Sequence, residues 1–165
     1  MNAIGLEESF RLAMRRLAAS VSVLTLVRDG QPFGMAATAV CSLSFEPPSI
    51  LACINRSASL HDDFAVVERF GVNILAVEQE DIARRFSDPR FRNSRFEGVE
   101  WDMHEEDVPL IAGSQASIVC SRAGRFEHGS HSILIGQALH GKVRTDVCPL
   151  LYADGTFARH AMLRP

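Results

Sequence analysis

A chain of 165 residues, 47% of them hydrophobic and 22% charged, has the composition of an ordinary globular protein and the length to bury its own core, which excludes wholesale disorder, collagen and coiled coil. No apolar run nears the ~20 residues of a membrane span. The formal net charge of −3 argues against binding by phosphate neutralisation, so neither nucleic acid nor a membrane is expected as a partner.

The start, Met1 to Glu8, has no basic n-region and no apolar h-region, so no secretory signal is expected. Cys41, Cys53, Cys120 and Cys148 form no C-x-x-C pair. They read as small hydrophobes in a reducing compartment, which makes the expected location cytoplasmic. The histidines show neither H-E-x-x-H nor H-x-H spacing, so no metal site is expected. There is no repeat, linker or low-complexity block, and residues 1–165 read as a single domain.

In chain order, Phe10, Met14, Leu17 and Val21 recur at helical spacing and predict an amphipathic helix over about Glu7 to Ala19, laid against a sheet. Val21 to Val27 is β-branched and apolar, and Asp29-Gly30 supplies a tight turn. Phe33 to Leu43 reads as one strand rich in small residues, broken at Glu46-Pro47-Pro48. Ser49 to Ile54 is a short buried strand. The polar loop Asn55 to Ser59 leads into a helix from about Leu60 to Arg69, with Ser59 as N-cap and Gly71 at the C′ position. Val72 to Val77 is another strand, and Glu78 to Phe86 a short helix stopped by Ser87-Asp88-Pro89. Phe91 to Pro109 has no clear period and reads as an irregular excursion or lid. Ala116 to Cys120 and Ser132 to Val143 read as core strands, and Leu150 to His160 as a hairpin turned at Asp154-Gly155. Strands without βαβ alternation predict a mainly β chain with peripheral helices, folded as an antiparallel barrel.

Three features bear on chemistry. A strand interior of Gly34, Ala36, Ala37 and Ala39 is weak by propensity, and is explained either by close approach of a flat ligand or by tight packing of the barrel wall. Asn55, Arg56, Ser57 and Ser59 ahead of a helix make either an anion site or a capped, solvated loop. His131 opens a strand, as a structural or surface residue or as a donor to a substrate amide. No G-x-S-x-G, P-loop or G-x-G-x-x-G motif is present.

The run Phe33 to Ser44, then Pro47-Pro48, then Leu51 to Ser59 resembles the flavin-binding core of the short-chain flavin reductases. These are the small reductase partners of two-component flavin monooxygenases, the reductase of 4-hydroxyphenylacetate 3-monooxygenase among them. Phe10 to Thr25, Gly71 to Leu75, Gly129 to Gly136 and Pro149 to Gly155 match the same pattern, so the resemblance covers nearly the whole chain. It implies a split β-barrel homodimer that binds FMN or FAD and is reduced by NADH or NADPH. By the resemblance, Met35, Ala36, Ala37, Thr38 and Ala39 would line the isoalloxazine ring. Cys53, Ile54 and Asn55 would follow the ring and ribityl chain, and Ser57 and Ser59 would meet the phosphate. Arg85, Phe86 and Ser87 match the segment that flanks the flavin, His131 the histidine near the nicotinamide, and Tyr152 the hairpin that helps hold it. No catalytic side chain is implied, because hydride passes directly between the two cofactors.

Ala36 stands where the family often has Thr, Ser130 where it often has Asp, and Phe157 where Tyr is common. The implied function is an NAD(P)H:flavin oxidoreductase that supplies reduced flavin to a separate monooxygenase. The alternatives are an FMN-retaining oxidoreductase like the pyridoxamine-phosphate oxidases, and a non-catalytic flavin-binding module.

Overall fold

A computed structural model of the chain describes residues 5–161. Helix α1 (Leu6–Met14) is followed by strands β1 (Ala19–Ser20), β2 (Ser22–Arg28), β3 (Gln31–Ala37), β4 (Val40–Phe45) and β5 (Pro48–Asn55). Helix α2 (His61–Val66) and strand β6 (Arg69–Ile74) come next, then a 3-10 turn (Val77–Gln79) running into helix α3 (Glu80–Ser87). Strands β7 (Trp101–His104), β8 (Val108–Ile111), β9 (Ala116–His128), β10 (His131–Val143), β11 (Leu150–Ala153) and β12 (Thr156–Arg159) complete the chain.

The main sheet has seven strands in the order β3-β2-β6-β9-β10-β5-β4, with antiparallel pairing throughout. Its two edge strands, β3 and β4, are consecutive in the chain and joined only by Thr38 and Ala39. The three Cα–Cα steps from Ala37 to Val40 span no more than about 11 Å, so the sheet must roll until its edges come together. The result is a barrel closed covalently at one seam, where no ladder joins β3 to β4: a split β-barrel. On the β4 side of the seam, Ala39 already continues the β4–β5 ladder, its carbonyl accepting the Cys53 N–H at 2.9 Å.

Alternation along the strands builds two cores. Leu24, Leu26, Ile50, Ala52, Ile54, Phe70, Val72 and Leu134 fill the barrel, joined by Leu60 and Phe64 from the α2 segment. Outside the wall, Val21, Val23, Leu75, Ala83, Phe86, Ile111 and Leu150 form a second cluster under α3. Asn73 is fully buried and ties the wall together. Its amide donates to the Val23 carbonyl at 3.2 Å, and its oxygen accepts from Ile111 N–H and Ser117 Oγ, both at 3.0 Å. A buried amide is tolerated because its hydrogen-bonding groups are satisfied.

Several expectations change. The predicted strand over 33–43 is two strands, because the chain leaves one sheet edge and joins the other at Thr38-Ala39. The predicted helix over 60–69 shortens to α2, whose N-cap is Leu60 rather than Ser59. Gly71 lies inside β6 instead of ending that helix. A Cβ there would stand 2.3 Å from Thr25 Oγ1, so packing against β2 and β8 demands the glycine. The excursion contains the β7–β8 hairpin, and β9 runs well past Cys120. Helix α1 stops at Met14, short of the predicted Ala19, and has no buried residue: Leu6 and Phe10 on it and Leu17 just after it are 85%, 62% and 64% exposed, so the apolar stripe is not laid against the sheet. The helix is held through its basic end instead: Arg15 Nε and Arg16 Nη1 pair with Asp154 at 3.1 and 3.0 Å.

Candidate functional site

The outer face of β3 beside the seam opens on a cavity of about 970 Å3. Ala36, Ala37 and Thr38 form one wall, α3 a second through Arg84, Arg85 and Ser87, and the β11–β12 hairpin a third through Tyr152, Thr156 and Phe157. Asp88, Arg90, Phe91 and residues 97–99 complete the rim. The volume lies in the range of small-molecule and cofactor sites.

The close fit of α3 against β3 follows from Gly34, where a Cβ would meet Phe86 Cε1 at 2.7 Å and the Leu24 carbonyl at 3.0 Å. Phe86 is buried and packs edge-to-face on Phe96, with ring centroids 5.1 Å apart. The excursion is bolted to this assembly. Arg85 donates from Nε to the Arg95 carbonyl at 2.9 Å and from Nη2 to the Ser94 carbonyl at 2.7 Å. Arg95, itself buried, donates to the Gly34 carbonyl at 2.7 Å. Burial holds the Arg95 guanidinium below its usual basicity. Asp88 sits below the ordinary carboxylate range because Arg90 hydrogen-bonds and attracts its charged form.

Across the seam, β5 and β10 pair with Asn55 opposite His131 and Cys53 opposite Ile133. In β5, Ile50, Ala52 and Ile54 point inward, so Cys53 and Asn55 point outward on the same side as His131. Asn55 Oδ1 accepts both the N–H and the hydroxyl of Ser57, at 2.9 and 2.8 Å, an Asx turn that curls the loop. Arg56 N–H donates to the Ser130 carbonyl at 2.9 Å and fastens this loop to the β9–β10 turn. Ser130 Oγ lies 2.9 Å from His131 Nδ1, so a hydroxyl stands where an acid was the common alternative.

The fold thus gathers Ala36, Ala37, Thr38, Arg85, Ser87 and Tyr152 around the cavity, and Cys53, Asn55, Ser57 and His131 around the β5–β10 end. Ala39 joins the two through its bond to Cys53. Three expected contacts point elsewhere. Met35 and Ile54 belong to the barrel core and Phe86 to the cluster under α3, so these side chains support the site from behind. Ser59 is exposed in the loop before α2, and Ser57 spends its N–H and hydroxyl on Asn55 rather than holding them free for an anion. Sequence reasoning passed over Arg84, Arg90 and Phe91. The Arg84-Arg85 pair on a short helix was the available signal, and charged pairs of that kind are usually solvated. Arg84 stays exposed and paired with Glu80 while its guanidinium lies over the Phe157 ring at 4.8 Å, and the half-buried Arg85 lies over Phe91 at 4.7 Å.

Residues 14–161 match the family described as the flavin reductase like domain. The chain is 35% identical over 155 residues to the reductase component of an FADH(2)-dependent resorcinol hydroxylase from a Rhizobium species, covering 93% of this chain and 87% of that protein. It is 33% identical over 152 residues to an NADH-dependent FMN reductase of Agrobacterium fabrum, covering 92% and 84%. Among solved structures, the NADH:FAD oxidoreductase of Streptomyces globisporus in complex with NAD and FAD fragments superposes with a TM-score of 0.89 at 29% identity, covering 98% of each chain. With its barrel, its seam and its family match over nearly the whole length, the chain belongs to the flavin reductase-like family.

Proposed function

We propose that this chain is the reductase of a two-component oxygenase: it oxidises NADH, reduces FMN or FAD, and supplies the reduced flavin to a separate flavin-dependent monooxygenase. The observation that carries the reading is the cavity at the seam, where a wall of small side chains leaves room for a flat ring beside arginine donors. The relatives named as NADH-dependent FMN reductase and as reductase of a resorcinol hydroxylase support the choice of NADH and of an oxygenase partner.

In this reading Ala36, Ala37, Thr38 and Ala39 set the plane for the isoalloxazine, and backbone donors replace the hydroxyl that Ala36 lacks. Cys53 and Asn55 continue that surface, and the loop takes the phosphate end through the exposed Ser59 and, once its bonds to Asn55 Oδ1 open, through Ser57. Arg85 and Ser87 flank the ring, while Met35, Ile54 and Phe86 hold the wall from its inner side. His131 and Tyr152 orient the nicotinamide, and the Ser130 hydroxyl turns the His131 ring. The cofactor pair supplies direct hydride transfer, which asks the protein for stacking and orientation and for no acid or nucleophile.

The exposed stripe of Leu6, Phe10, Met14 and Leu17 supports a homodimer. Free cysteines throughout support a cytoplasmic location, and we read residues 1–165 as one domain. No helix among the described residues is long and apolar enough to cross a membrane.

Anaerobic NADH oxidation with and without added FMN or FAD tests the reading, followed at the flavin absorbance band. Bleaching that needs the protein and added flavin is the expected result. Flavin binding with no bleaching would leave a binding module, and flavin retained through gel filtration would favour an FMN-retaining oxidoreductase.

A further inference from the structure

The turn between β7 and β8 lies against the outer half of β10, on residues that take no part in the flavin cavity. There the rings of His104 and His140 approach to 4.8 Å between centroids. One donor atom from each of His104, Glu105 and His140 lies within 4.8 Å of the other two. Two local features create the cluster. The register of β10 against β9 shifts between Ala138 and His140, a bulge of the kind that re-aims a side chain. Asp107, at φ 54, closes the hairpin with its N–H on the His104 carbonyl at 2.9 Å, which leaves Glu105 exposed at the tip. Glu106 adds negative charge next to His140, its Oε1 3.8 Å from Nε2, and is partly neutralised by Arg69.

We propose that His104, Glu105 and His140 form a binding site for one divalent transition-metal ion of the zinc type. Two imidazoles and a carboxylate are a donor set suited to Zn2+, Co2+, Ni2+ or Cu2+ rather than to Mg2+ or Ca2+, which prefer all-oxygen shells. Three protein ligands leave the fourth tetrahedral position to water. Metal–ligand bonds of about 2.0–2.2 Å bring donors to within roughly 3.5 Å of one another, so the site closes by about an ångström on binding. Glu105 and His140 are exposed and free to make that movement. His104 Nδ1 now accepts the Glu106 N–H at 3.2 Å. Coordination either takes that lone pair or moves the ring proton onto Nδ1, and in both cases the Glu106 amide loses its acceptor. A bound ion fastens the β7–β8 hairpin to the barrel wall. The ligands come from two distant stretches of chain, which is why no spacing motif shows them.

The chelator-stripped full chain is titrated with ZnCl2 by calorimetry, and with CoCl2 while the visible absorption is followed. One ion per chain is expected, with a Co2+ spectrum of tetrahedral intensity and a shift of the Glu106 amide resonance. Affinity should fall at least about tenfold in His140→Ala and in His104→Ala, and less in Glu105→Gln. His140→Gln serves as a second variant of similar size. Without metal, His140→Ala should keep the circular dichroism and the NADH-dependent flavin reduction of the unaltered chain, so metal binding and the reductase reading fail separately. No stoichiometric binding, or equal affinity in the unaltered chain and both His140 variants, would overturn the site.

Discussion

Single residues around the barrel wall differ sharply in what solvent can reach. Cys120 is buried where β6, β9 and β10 meet, and burial pushes its thiol up to about 12. At pH 8 roughly one molecule in ten thousand would carry the thiolate, so alkylation should miss Cys120 while the protein stays folded. Cys53 is half-buried on the outward face of β5, and Cys41 is exposed on β4. Mass spectrometry after iodoacetamide should find Cys41 labelled first and Cys53 next. Saturating FMN should slow Cys53 several-fold, and an unchanged Cys53 rate would move the ring away from β5. His131 makes a second residue-level case. Losing one hydrogen bond to a nicotinamide amide is worth about 1.4 kcal/mol, so His131→Ala should raise the NADH KM roughly tenfold and leave the flavin KM unchanged. Steady-state kinetics with each substrate varied in turn decides it.

At the scale of elements, the site depends on how tightly α3 sits on β3. Gly34→Ala drives a methyl into Phe86 and the Leu24 carbonyl. It should cost about 1–3 kcal/mol in urea unfolding and weaken flavin binding, because Arg85 and Ser87 ride on α3. Gly141→Ala meets nothing within 4 Å and should change stability by less than about 0.5 kcal/mol. The inward alternation of Ile50, Ala52 and Ile54 and the turn at Asp154-Gly155 were legible in the sequence, because each is a local pattern. The break at Thr38-Ala39 was not. Neither residue interrupts a strand, and only the closing of the barrel makes the chain change sheet edges there. The β7–β8 hairpin was hidden for a related reason: Pro109 and the acidic turn mask a strand whose backbone is satisfied by tertiary partners, Thr25 Oγ1 donating to the Pro109 carbonyl at 2.6 Å. Of the site, the small-residue wall and the Asn55–Ser57 turn could be read locally. The inward aim of Phe86 and the arginine rim required knowing what α3 packs on.

For the whole molecule, the exposed apolar residues of α1, together with Leu17 just beyond its end, predict self-association. Phe10→Glu combined with Leu17→Glu should convert a dimer to a monomer in sedimentation, and a monomer before substitution would remove the dimer. Acid response belongs to the same scale. Arg144 joins Glu78 to Asp146, and its hydrogen bonds hold both carboxyls below their ordinary range. Carboxylates depressed on folding stabilise fully above the unfolded-state values near pH 4, and that contribution is lost as pH falls through the folded values. Unfolding midpoints should therefore separate the unaltered chain from Arg144→Met at pH 6, and the separation should shrink below pH 4.

The two-residue seam also constrains the route by which the chain reaches this structure. Strands β3 and β4 are made one after the other, yet the ladder between them runs the long way round, through β2, β6, β9, β10 and β5. The β4–β5 hairpin forms locally, but it joins the rest of the sheet only when Asn55 meets His131 and Ile54 meets Ser132. That step closes a large loop of chain before its contacts repay the lost entropy. Barrel closure is then the expected late event in folding, on a timescale of about milliseconds to seconds, and the cavity wall at Ala36, Ala37 and Thr38 should be among the last parts of the molecule to form, which pulse-labelled hydrogen exchange during refolding would check.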